Sequence, residues 1–213
     1  MDRWPRRLLV VALALLLLTA GALTSVYMLP VSWGLGPCLK DWTSPSSYRA
    51  RTSPLETLRF ALGEGHVQVC YGRPSARNRT VFGRLVPYGQ LWRTGATEPT
   101  RLYTDVPLSV AGIEVPPGRY SLYSVPGEGE WTVALNRSTF HWGLDFSEGV
   151  LRQEVGRAVV PADTTRAHVE TFTIREEPPG GGGQMVGLVL EWERTRVVIP
   201  VRARPAPGGR GEE

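Results

Sequence analysis

A chain of 213 residues with a net charge of +4 has room for one folded domain behind an N-terminal targeting segment. Arg3, Arg6 and Arg7 stand ahead of an apolar run, so the remainder is only mildly basic, which argues against a nucleic-acid binder. The apolar fraction of 42% is ordinary for a globular protein, and a domain of about 150 residues buries a real core.

The N-terminus is read as a signal anchor or signal peptide over 1–31. Positions 8–18 are uninterruptedly apolar, and no charge occurs up to 29. As a helix, 8–29 would span about 33 Å, enough for a bilayer core. Ala20-Gly21-Ala22 also offers the small residues of a cleavage site. The preferred expectation is an uncleaved membrane anchor with the domain outside the cytoplasm. The alternative is a secreted or periplasmic chain cleaved near Ala22. In either case the membrane or envelope sets the expected partners.

Residues 32–54 are rich in Ser, Pro, Gly and Thr and read as a linker. Cys38 lies there, and Cys70 lies in the domain that follows. Two readings stand for the pair. One is a disulfide closing a loop of about 30 residues, worth on the order of 3–4 kcal/mol in the chain-entropy model. The other is two unrelated thiols.

From 55 to 203 the pattern is that of strands. Alternating runs fall at 57–62, 66–71, 102–105, 108–111, 119–125, 131–136, 150–160, 169–175, 185–192 and 196–201. Turn signals separate them at Pro116-Pro117-Gly118, at 126–129, at 178–183 and at Glu193-Arg194-Thr195. The expected fold is all-β: an antiparallel β-sandwich, or a barrel-like sandwich, preceded by an N-terminal hydrophobic helix. Trp131 and Trp192 fall on apolar faces and read as core. The stretches 82–92 and 140–149 have room for a turn or two of helix, and 204–213 reads as a disordered tail.

One stretch stands apart. Residues 71–101 hold Arg73, Arg77, Arg79, Arg84, Arg93 and Arg101 against the single acid Glu98, with glycines and prolines between them. The motif RTVFGRLVPYGQLWRTGATEPT at 79–100 is followed by PGRYSL at 117–122, WTVALN at 131–136, Trp142-Gly143, LEW at 190–192 and VIP at 198–200. In order and spacing these resemble a family of proteins of unknown function, domain family 2911, over roughly 57–201. The resemblance implies a fold rather than an activity. Thr97 departs from it, because the family pattern Gly-Ala-Asn-Glu places asparagine there.

No nucleophile elbow, paired-histidine metal motif, phosphate loop or Cys-x-x-Cys is present, so no cofactor and no metal is expected. His66, His141 and His168 are far apart in sequence. The arginine stretch is the candidate site. Guanidinium forks hold carboxylates and phosphates bidentately. Arg73, Arg79, Trp92, Arg93 and Glu98 are therefore the expected ligand-binding residues, for a small anionic ligand or an envelope protein. The competing reading is an internal clamp that pins the loop to the sheet. The expected function is non-catalytic binding by a membrane-anchored domain. The alternative is an envelope hydrolase acting on an anionic or sugar-like substrate, with Glu98 and His141 as acid and base.

Overall fold

In the computed structural model, which describes residues 4–27, 52–139, 141, 146–177 and 183–205, the alternating stretches pair into antiparallel strands. They are β1 (Leu55–Leu62), β2 (Gly65–Gly72), β3 (Thr100–Thr104), β4 (Leu108–Val110), β5 (Ile113–Val115), β6 (Gly118–Pro126), β7 (Glu130–Asn136), β8 (Glu154–Glu177) and β9 (Met185–Ala203). Helix appears as α1 (Trp4–Tyr27) and the single turn α2 (Glu148–Leu151).

The strands form one sheet in the order β1-β2-β3-β6-β7-β8-β9-β4-β5. Its edges, β1 and β5, do not pair, so the sheet is open. The all-β antiparallel class is as expected, and the barrel-like form is not. β8 makes the sheet continuous. Its first part pairs with β7 (Trp131↔Val160) and its second with β9 (Ile174↔Leu190). The sheet doubles over one core, which gathers Val69, Leu102, Leu122 and Val133 from one part and Ile174, Leu190, Val197 and Val110 from the other.

Two expected strands merge into β8, and two into β9. Glu193-Arg194-Thr195 is no turn. Between Thr164↔Thr195 and Val169↔Glu193 the register shifts, with four residues of β8 facing one of β9. Glu193 takes a φ of 55° at this bulge. Bulges re-aim side chains: Glu193 Oε2 accepts the N–H of Val81, 3.1 Å away in the long loop.

The N-terminal expectation needs correction. Among the described residues no helix is long and apolar enough to cross a membrane. The uninterrupted apolar part of α1, 8–18, rises only about 16 Å, against a hydrocarbon core of about 30 Å. Thr19, Gly21, Thr24 and Ser25 then dilute the run. The side chains at 9–22 are exposed. The membrane-anchored location is corrected accordingly. The membrane and the envelope protein as partners lose the anchor they rested on; the alternative of a chain cleaved near Ala22 needs no spanning helix. Most of the linker 32–54 and of the tail 204–213 lies outside the described residues, as do Cys38 and Trp142. Cys70 is buried and disulfide-bonded.

The loop joining β2 to β3 is a plug. Ala76, Val81, Phe82 and Val86 are buried in the same core as the strands. Residues 82–92 form turns, not a helix: Val86 N–H donates to Val81 O at 2.8 Å and Gly83 N–H to Val86 O at 2.9 Å. Gly72 is required by close approach, because a Cβ there would collide with the carbonyl oxygen of Ala96.

A candidate anion-binding cleft

The plug loop holds its shape with its own polar groups. Arg73, half-buried at the end of β2, donates from Nη1 to Glu56 Oε2 at 3.0 Å, from Nη2 to Thr173 Oγ1 at 3.2 Å and from Nε to Phe172 O at 3.3 Å. It ties β1 and β8 to the loop. Ala76 N–H reaches Glu170 O at 2.8 Å, and Arg77 N–H reaches Glu170 Oε1 at 2.8 Å. Downstream, Trp92 exchanges two backbone hydrogen bonds with Ser124 of β6, at 2.7 and 2.9 Å. Its indole N–H donates to Gly95 O at 3.1 Å.

Between the two limbs of this loop lies a cleft of about 450 Å³. Arg77, Arg79 and Arg93 line it, together with Leu85, Pro87, Leu91 and the indoles of Trp92 and Trp192. Among the described residues no carboxylate lines it. Arg79 is exposed and folds back on its own loop, with Nε on Ala76 O and Nη2 on Ser75 O, both at 2.9 Å. Arg77 Nη2 donates to Thr52 O at 3.3 Å. A guanidinium carries five N–H donors, so both arginines keep donors beyond these bonds.

Arg93 is the most buried of the three. It is half-buried, and its Nε is buried without an acceptor among the described residues. Burial lowers its pKa, because desolvation penalises the charged form, and the charge of Glu98 opposes that shift. Glu98 is buried at 5% exposure and does not line the cleft. It is a counter-charge behind Arg93.

The expected site residues therefore separate. Arg79, Trp92 and Arg93 share the cleft. Arg73 is a clamp between strands, and Glu98 stands behind the lining. Arg84 is exposed and lies outside the cleft. Arg101 is 1% exposed, with Nε on Thr139 O at 3.0 Å. Among the lining residues not expected as ligand-binding, Arg77 and Trp192 bear most on the cleft. Arg77 takes a φ of 52° beside Asn78 at 58°, and no spacing rule signals that this turn lines the cleft. Trp192 reads as core from alternation, and it is core, but it also lines the cleft.

The acid/base reading of Glu98 and His141 is corrected. His141 does not line the cleft. Tyr123, which alternation places on the face of β6 opposite the core residue Leu122, lies 2.8 Å from His141 Nε2 through its hydroxyl. Ser138 O lies 3.1 Å from the same nitrogen, and the two rings stack at 6.0 Å. Glu98 is buried and, like His141, is not among the residues that line the cleft, so the cleft does not bring the pair together. Among the described residues no group of three His, Cys, Asp or Glu side chains stands ready to hold a metal ion.

No curated protein and no solved structure matches the chain. A family model described as "Protein of unknown function (DUF2911)" matches residues 53–201, which covers all nine strands but the end of β9 and the whole plug loop. The chain belongs to the DUF2911 family of proteins of unknown function.

Proposed function

We propose that this domain binds a small anionic molecule in the cleft lined by Arg77, Arg79 and Arg93. The observation that carries the reading is Arg93. A buried guanidinium N–H without an acceptor costs about 1–3 kcal/mol or more. Arg93 lines the cleft, and an anion seated there would compensate its charge, which burial leaves poorly solvated. The absence of a lining carboxylate among the described residues supports the same sign of ligand. Arg77 and Arg79, exposed at the other limb, would steer the anion in and contribute charge-assisted hydrogen bonds.

The test is titration of the full chain with sodium acetate and with inorganic phosphate, read by tryptophan fluorescence. Trp92 and Trp192 line the cleft and report on its occupancy. Saturable quenching that weakens with ionic strength and disappears in Arg93→Met is the expected result. An unquenched titration with both anions overturns the reading.

A further inference from the structure

We infer that the anion this cleft takes is amphipathic, an acid head group carrying an apolar chain or ring; the inference rests on the anion-binding reading above. The first observation is size. A cleft of about 450 Å³ equals the liquid share of about fifteen waters at about 30 Å³ each. A bare inorganic ion would fill a small part of it.

The second observation is the rest of the lining. Leu85, Pro87, Leu91 and the Trp192 indole share the cleft with the three guanidiniums. Leu85 is 43% exposed, and outside α1 few large apolar side chains of the described residues are so open to solvent. Its backbone N–H is held on Thr80 O at 3.3 Å, so the side chain is presented by a fixed turn. An apolar body laid on this wall gains about fourfold in affinity for each methylene buried.

The head group is fixed by chemistry shared between carboxylates and phosphate monoesters, both of which match a guanidinium fork. The ordinary features of a binding pocket, apolar walls with a few convergent charges, are then met together.

The experiment titrates the full chain with acetate, octanoate, octyl phosphate and octylammonium by calorimetry. Octanoate and octyl phosphate are expected to bind at least about tenfold more tightly than acetate, and octylammonium not at all. Leu85→Ser changes an exposed residue. It should weaken octanoate several-fold and leave acetate unchanged, whereas Arg93→Met should weaken both. Equal affinity for acetate and octanoate overturns the amphipathic assignment and leaves the anion reading standing. Octylammonium binding as tightly as octanoate overturns both, as does silence from every probe. A Leu85→Ser chain that binds octanoate like wild type removes the apolar wall from the argument and overturns the assignment.

Discussion

The indole of Trp92 lies over that of Trp192, ring centroids 6.0 Å apart and planes inclined by 22°. One belongs to the plug loop and the other to β9. Phe82 of the same loop meets Trp92, Trp131 and Trp192 edge-on at 5.9, 5.0 and 6.0 Å. The long loop is therefore fastened to the sheet by aromatic packing, and its arginines ride on that platform.

Trp192→Ala should cost about 3–5 kcal/mol, the range for deleting a large buried aromatic. The ring is 2% exposed, and its N–H donates to Glu170 O at 3.2 Å. The urea midpoint measures this, with the slope of the transition unchanged. A wild-type midpoint would mean that the aromatic platform carries no stability.

Thr97→Asn should stabilise the domain. Thr97 sits at a φ of 68°. Left-handed backbone costs an ordinary L-residue about 1–2 kcal/mol and is worse for a β-branched one, whereas asparagine tolerates it. The expected gain is about 1 kcal/mol, a rise of a few degrees in Tm. A lower Tm would show that the threonine side chain contributes more than its backbone costs.

The strands were legible because their faces alternate: Val186, Leu188, Leu190 and Trp192 mark β9 without any knowledge of partners. Their continuity was not. A bulge at Glu193 and a turn at 193–195 have the same polar composition, and only pairing across to Val169 tells them apart. The arginine stretch was legible as a unit but not in its parts. Arg73 and Arg93 sit in similar Gly/Pro settings, yet one meets Glu56, Phe172 and Thr173, distant in sequence, and the other faces a cleft. Whether an arginine clamps or binds depends on contacts that no local pattern encodes. Apolar length misled at the N-terminus, where the continuous run is about half of what the uncharged stretch implied.

Glu170 should make the loop acid-sensitive. Its Oε1 accepts the Arg77 N–H, and its Oε2 lies 3.3 Å from His168 Nε2. The Arg77 N–H first, then His168, hold its pKa below the ordinary 4.5. A carboxylate depressed on folding stabilises fully above its unfolded pKa and loses that contribution as pH falls through the folded one. Wild type should therefore be more stable than Glu170→Gln at neutral pH, and the difference should shrink at a pH below the ordinary 4.5. Paired urea melts at the two pH values check this. A gap that is constant with pH would assign the effect to something other than the charge.

Arg93 separates architecture from binding, through two substitutions at one position. Arg93→Ala removes a half-buried charge from beside the buried Glu98. Breaking a fully buried pair costs about 3–5 kcal/mol, and an exposed one no more than about 1 kcal/mol. Arg93 lies between, and its own Nε already stands desolvated without an acceptor among the described residues, so removing it also relieves a cost. A loss of about 1–2 kcal/mol is expected, between those two limits. Arg93→Lys keeps the charge opposite Glu98 and gives up the planar fork. It should unfold close to wild type while binding acetate and phosphate several-fold more weakly. Urea melts beside anion titrations of the three chains decide the matter. A loss above about 3 kcal/mol in both variants makes Arg93 part of the clamp with Arg73, and the cleft then loses the guanidinium that most needs an anion.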